Sequence, residues 1–284
     1  MVVIILVVVI SYIPIIFTSD SRAFQEVDIP AEGYDLKGYI SFGTSADGLW
    51  VVLTHGNRKE GQDHLLYQRI RNNIREDVSV LAIDFRGYGE STFGRLSNGQ
   101  SILDRSEDIE AAVGYLRENY GVDENRIILL GHSLGAVQVL NVSKHNNYRG
   151  VIAIGPGDFN IFIGNRIRTQ RYIDKFERNT GVRMSFEVMI TEASRLTPES
   201  LFSSCPETPI ALVFGTFDNP ETLLFHRDRI PEQCETRISW VIIPFSSHMY
   251  GTEAFLPEPF RFSYTSISLS LLKWRLNNLL VRQW

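Results

Sequence analysis

Six stretches of this chain are apolar almost without interruption: Trp50 to Leu53, Val78 to Ile83, Ile127 to Leu130, Val151 to Ile154, Ile210 to Phe214 and Trp240 to Ile243. A strand with one wet face alternates apolar and polar residues, so unbroken runs require cover on both faces. Between them, Leu66, Ile70 and Ile74, and then Ile109, Ala112, Val113 and Leu116, recur at helical spacing and supply that cover. Strand and helix patterns that alternate along a chain predict a mainly parallel sheet with helices on both sides. Tyr34 to Phe42 alternates more and is expected as an antiparallel edge. With no internal repeat or low-complexity linker, the 284 residues are expected to form one α/β domain from residue 24 onward. The formal net charge of -5 gives no general attraction to polyanions, which excludes nucleic acid as the main partner. Two cysteines, without Cys-x-x-Cys spacing, leave no structural zinc cluster.

Two regions break the rhythm. Val2 to Phe17 is almost wholly apolar, then turns polar at Thr18, and Ser21-Arg22-Ala23 offers the small residues of a cleavage site. Residues 1–23 are expected to be a signal peptide or an N-terminal membrane anchor, although no Lys or Arg precedes the apolar run. The run is short of the roughly 20 residues of a spanning helix. Either reading implies a secreted, extracytoplasmic or membrane-anchored protein, with membrane association through this segment. The second region, about 157–205, has no strand-like run but two helical patterns and a turn at Asn179-Thr180-Gly181. So long a connection between buried strands is expected to be a helical cap. In it, Arg168, Arg171, Lys175 and Arg178 fall on one helical side, either a solvated face or a site for an anionic substrate handle or an anionic membrane surface. Leu271, Leu272, Trp274, Leu276, Leu279 and Leu280 predict a final helix.

The chemistry concentrates in Gly131-His132-Ser133-Leu134-Gly135, between the Ile127 strand and a helical pattern from Ala136 to Lys144. A turn that sharp forces its central residue into a strained conformation and needs glycines where β-carbons would clash, and it lifts the serine hydroxyl above the sheet. Four more polar motifs follow strand ends: His55-Gly56-Asn57, Asp84-Phe85-Arg86-Gly87-Tyr88-Gly89-Glu90-Ser91, Gly215-Thr216-Phe217-Asp218 and Ser247-His248-Met249. The carboxyl edge of an open parallel sheet is where ligands bind.

With these motifs in this order, the chain from about Phe24 onward resembles the α/β-hydrolases. The resemblance implies that fold: a mostly parallel central sheet, helices on both faces and a helical cap insertion. It implies Ser133 as nucleophile, His248 as base and Asp218 as the acid that orients the base, with Glu221 and Asp228 nearby as other carboxylates. The backbone N–H groups of Leu134 and Asn57 are the expected oxyanion donors. His55 and Gly56 are expected to shape their loop, His132 to support packing, and Arg86, Gly87 and Gly89 to form a structural turn. No dinucleotide, phosphate-loop or His-x-x-x-His motif is present, so no cofactor or catalytic metal is implied.

The implied activity is hydrolysis of a small-molecule carboxylic ester or thioester through an acyl-serine. An acyltransferase with the same acyl-enzyme, or a ligand receptor with little turnover, are the alternatives. Phe159, Phe162, Phe217 and Phe245 are either an acyl pocket or ordinary core. Cys205 and Cys234 each precede one of two successive strands, at the end away from the expected site. In an oxidising compartment they are placed to form a disulfide; otherwise they are two free thiols.

Overall fold

A computed structural model describes residues 24–44, 48–74, 76–94, 101–218, 229–249, 271–272 and 274–280. The expected signal or anchor at 1–23, and the carboxylates Glu221 and Asp228, lie outside the described residues. Eight strands form one sheet: β1 (Gln25–Ala31), β2 (Tyr34–Ser41), β3 (Trp50–Thr54), β4 (Ser79–Ile83), β5 (Ile127–His132), β6 (Gly150–Ile154), β7 (Ile210–Phe217) and β8 (Ile238–Ser247). Their order is β1-β2-β4-β3-β5-β6-β7-β8. β1 with β2 and β2 with β4 run antiparallel, and all the remaining pairs are parallel.

The edge expected at Tyr34 to Phe42 is displaced by one strand, because β2 is paired on both sides and β1 forms the margin. β1 shows why it escapes a hydropathy reading: only Val27 and Ile29 are buried, with Pro30 beside them.

The apolar runs divide by parity between the two faces. Val52, Leu129, Val151 and Leu212 point to one side, where α2 (Ser106–Tyr120) and α3 (Leu134–Val142) pack through Ile109, Ala112, Val137 and Leu140. Val51, Leu53, Ile128, Leu130, Ile152 and Val213 point to the other, against Leu66 and Ile70 of α1 (Leu65–Asn73) and Leu272, Leu276 and Leu279 of the final helix. The period-two pleat and the 3.6-residue helix thus meet on both sides of one layer.

Between β6 and β7 lie α4 (Arg166–Thr180), α5 (Phe186–Arg195) and the short α6 (Pro198–Leu201). Asn165 caps α4 by accepting from the Arg168 N–H at 3.1 Å, and Gly181, in the left-handed region, ends it. Ile173 and Phe176 of α4, with Met189 and Ala193 of α5, join the core on the α2 side. Arg168, Arg171, Lys175 and Arg178 are exposed. Glu192 of α5 accepts from the Ser101 hydroxyl (2.6 Å) and from the Ile102 (2.9 Å) and Leu103 N–H groups, fixing this segment to the approach to α2.

Cys205 and Cys234 form a disulfide with their Cα atoms 5.0 Å apart. It lies just ahead of the first β7–β8 register pair, Ile210 with Ile238. Among the described residues no helix is long and apolar enough to cross a membrane.

Candidate active site

Ser133 sits between β5 and α3 with φ 54° and ψ -113°, the one non-glycine residue at positive φ among the described residues. The glycines around it are sterically enforced. A β-carbon on Gly131 would strike the Gly135 carbonyl, and one on Gly135 would lie 2.6 Å from Thr54 Oγ1 and the His55 carbonyl oxygen. The Ser133 N–H donates to the Ile154 carbonyl at 2.9 Å, which ties the turn to β6. The hydroxyl is left half-buried at the carboxyl edge of the sheet.

The loops after β7 and β8 bring the other two residues to it. Ser133 Oγ donates to His248 Nε2 at 3.0 Å, and His248 Nδ1 donates to Asp218 Oδ1 at 3.0 Å. The Asp218 side chain is buried, whereas that of His248 is 39% exposed. Gly155, at φ 52°, lets β6 end flush against this pair, since a β-carbon there would lie 3.0 Å from both Asp218 Oδ2 and His248 Nδ1.

Asn57 and Leu134 flank the serine. A β-carbon on Gly56 would lie 3.0 Å from Ser133 Cβ, so the Asn57 loop abuts the nucleophile position directly. Neither the Asn57 nor the Leu134 N–H is taken by a backbone carbonyl among the described residues. The Asn57 side chain is held from two directions: Tyr88 donates its hydroxyl to Oδ1 at 2.9 Å, and Asn179 of α4 donates to the same atom at 2.7 Å.

His55 and His132, the two buried histidines among the described residues, are framework. His55 Nε2 accepts from the Phe85 N–H (3.0 Å), so Nδ1 carries the proton and donates to the Gly56 carbonyl (2.7 Å). Burial holds its pKa down to about 4. His132 Nε2 faces the His248 carbonyl at 2.8 Å, and a carbonyl only accepts, so the proton is on Nε2 and Nδ1 accepts from the Tyr67 hydroxyl (3.0 Å). Burial and the neighbouring His248 push the His132 pKa down to about 3. Tyr67 in turn accepts from the Gly56 N–H at 2.7 Å. One neutral chain therefore runs from the Asn57 loop through Tyr67 and His132 to the backbone of His248.

Tyr67, Tyr88 and Asn179 are the site-supporting residues that the sequence reading misses. Tyr67 lies on the apolar face of α1, where it reads as packing. The available signal is that a tyrosine in a buried face needs a partner for its hydroxyl. Of the four phenylalanines, Phe217 is 63% exposed, Phe159 and Phe162 pack on Tyr172 with centroids 6.2 and 4.7 Å away, and the Phe245 side chain lies outside the described part.

Comparison with known proteins bears on the family and the fold. A model of the alpha/beta hydrolase family matches residues 51–265. The chain belongs to the α/β-hydrolase family. This α/β-hydrolase is 30% identical over 141 residues to the esterase EstD of Thermotoga maritima, a match covering 48% of this chain and 34% of that protein. It is 28% identical over 133 residues to the kynurenine formamidase avaC of Aspergillus versicolor, covering 44% and 43%. The chain spans less than half the length of the curated relatives it matches. The structure of mouse alpha/beta hydrolase domain-containing protein 10 superposes with a TM-score of 0.62 at 16% identity, over 92% of this chain and 99% of that one, a likeness of fold.

Proposed function

We propose that this α/β-hydrolase cleaves small-molecule carboxylic esters or thioesters through an acyl-serine. The observation that carries the reading is the hydrogen-bonded line Ser133–His248–Asp218, with both bonds at 3.0 Å. A neutral serine hydroxyl is a weak nucleophile, so His248 Nε2 takes its proton as Oγ attacks the acyl carbon. Asp218 holds the imidazole in the tautomer that can accept at Nε2, and it stabilises the imidazolium once formed. The Leu134 and Asn57 N–H groups receive the developing oxyanion, donors of a kind worth roughly a hundredfold or more in rate each. His248 then returns its proton to the leaving alcohol or thiol, and a water activated by the same nitrogen releases the acid. An esterase among the relatives supports the ester assignment. In this reading α4 to α6 form a cap over the acyl site. The Cys205–Cys234 bridge supports an oxidising, extracytoplasmic location, with residues 1–23 as signal or anchor.

A fluorophosphonate probe tests the nucleophile. Wild-type protein is expected to label and to turn over p-nitrophenyl esters. Ser133→Ala is expected to do neither, with turnover down by about ten-thousandfold or more. Equal labelling of both proteins would sink the assignment.

A further inference from the structure

The exposed face of α4 carries an acid at the right spacing to pair with a base, and the two do not pair. Asp174 stands one turn before Arg178, the i, i+4 arrangement of a helical ion pair. Its Oδ1 instead accepts from Gln170 at 2.8 Å. Among the described residues, neither Lys175 nor Arg178 has a carboxylate within ion-pair distance, and Glu177 on the same helix pairs with neither. Both side chains are exposed, so an anion can reach them from solvent.

A third cation joins them beside the nucleophile. Asn179 Nδ2 donates to Asn57 Oδ1 at 2.7 Å and lies 3.4 Å from the Asn57 carbonyl oxygen. Arg178 immediately precedes Asn179 and Arg58 immediately follows Asn57, so this contact brings both arginines to one junction. Lys175, one turn earlier, feels both. Surrounding protein atoms, and then the charges of Arg58 and Arg178, hold its pKa below the usual lysine value, with no acid among the described residues offsetting them. Arg58 is half-buried, and its charge also reaches the Tyr67 hydroxyl, which accepts from the Gly56 N–H and donates to His132. Glu60, on the same loop, makes no ion pair with it. Gly56 abuts Ser133, and Arg58 follows it by two residues, at most about 7 Å of chain, so the cations gather at the margin of the site.

Like charges crowded at one junction repel, and a chain of net charge -5 has carboxylates enough to neutralise them. The group that fits such a junction is an anion from outside. A carboxylate brings one negative charge, whereas a phosphate monoester brings about -1.5 to -2 at pH 7 and three acceptor oxygens. Two guanidinium forks and an ammonium match the second. In an ester, the alcohol is the part with further hydroxyls to carry a phosphate, which makes the phosphate a mark of the leaving group.

We propose that Arg58, Lys175 and Arg178 bind a phosphate carried by the leaving group of the substrate, so that the enzyme prefers acyl esters of phosphorylated alcohols to the same esters without phosphate. The proposal rests on the assignment of Ser133 and sharpens it to a substrate class.

The test separates binding from turnover. 1-Octanoylglycerol 3-phosphate and 1-octanoylglycerol share the acyl chain and the ester bond and differ by the phosphate. Both are assayed, below their aggregation limits, on wild type, Arg58→Gln, the pair Lys175→Gln with Arg178→Gln, and the pair Arg117→Gln with Arg149→Gln. The last pair removes as much charge from the opposite edge of the sheet, where α2 ends and β6 begins. In dilute buffer, wild type is expected to favour the phosphorylated ester by about tenfold or more in kcat/KM, chiefly through KM. Arg58→Gln and the Lys175–Arg178 pair are each expected to lose most of that preference, and the Arg117–Arg149 pair to keep it. The preference should shrink with salt, as the Debye length falls from about 10 Å at 0.1 M to about 3 Å at 1 M. Glycerol 3-phosphate, titrated calorimetrically into Ser133→Ala protein, is expected to bind, and to stop binding when Lys175→Gln and Arg178→Gln are added.

Equal kcat/KM for the two esters on wild type, without glycerol 3-phosphate binding, would overturn the phosphate site and leave the esterase standing. Binding that needs Lys175 and Arg178, without turnover of either ester, would do the reverse. Inorganic phosphate that speeds hydrolysis of the neutral ester, with no preference for the phosphorylated one, would overturn the proposal in favour of a free-phosphate effector. Sedimentation with phosphatidylglycerol vesicles that needs these cations, again with no preference between the esters, would overturn it in favour of a membrane surface. A preference that survives the substitutions would also overturn it. Should a variant fail to fold, the salt series on wild type decides, and a preference unmoved by salt would sink the proposal.

Discussion

The two ends of the parallel strands solve opposite problems. At the carboxyl ends of β3 to β8, the buried polar groups His55, Asp84, His132 and Asp218 crowd around the half-buried Ser133 at positive φ. At the amino ends of β7 and β8, one covalent bond between Cys205 and Cys234 joins the segments that lead into the strands. The first end is assembled from long-range hydrogen bonds and carries backbone strain that only a well-determined surrounding tolerates. The second limits how far neighbouring strands can part. The difference teaches that stability and chemistry can be varied separately in this molecule.

The sharpest way to break that separation is at the amino ends. Replacing both cysteines with serine removes a cross-link across a 29-residue separation. On the chain-entropy relation this is expected to cost about 3 to 4 kcal/mol of stability, while kcat/KM for a p-nitrophenyl ester stays within about twofold. Denaturant midpoints and initial rates measured together check it. A large loss of kcat/KM at full stability would show that the two ends are coupled.

Acid attacks the other end. His55 and His132 have folded pKa values depressed to about 4 and about 3, so their stabilising contribution is fully present above their unfolded value near 6.5 and is lost as pH falls. Asp84 works the other way: burial raises its pKa to about 6, so its contribution is complete only below about 3.8 and is lost as pH rises through 6. Between about pH 8 and about pH 4.5 the three leave a net loss of roughly 3 kcal/mol. A denaturant midpoint that does not move over that range would break this reading.

The smallest effect concerns the neutral chain from Gly56 to His248. Tyr67→Phe deletes one hydroxyl and leaves His132 Nδ1 and the Gly56 N–H without their partner. It is expected to cost about 1 to 2 kcal/mol of stability. It should also lower kcat about tenfold with little change in KM, because it loosens both the base and the oxyanion loop. Equal changes in kcat and KM would assign Tyr67 to packing alone.

How much of this was legible depends on whether a residue's role is set by its neighbours in sequence. The parallel strands were, because continuous runs such as Ile127 to Leu130 cannot be half-wet. Ser133 was, because its glycines and its strand-to-helix context lie within the same pentapeptide. Asp218 and His248 were placed by motif order, and the structure brings both to Ser133. β1 was not legible, since a marginal strand with two inward residues and a proline carries little pattern. Tyr67 and Asn179 were not, because each takes its meaning from a partner far away along the chain. Asn179, for example, meets Asn57 across 122 positions.

That last contact has a consequence for selectivity. Asn179, in the last turn of α4, donates to the side chain of Asn57, and Glu192 anchors α5 to residues 101–103, so the helical segment is tethered at two points. With α4 in its proposed place as a cap over the acyl site, a substrate too bulky for that site has to displace Asn179, and Asn57 moves with it. The misfit is then registered at an amide proposed to meet the transition state. Discrimination by size should therefore emerge as slower acylation rather than as weaker capture, with poor substrates occupying the enzyme as inhibitors of good ones.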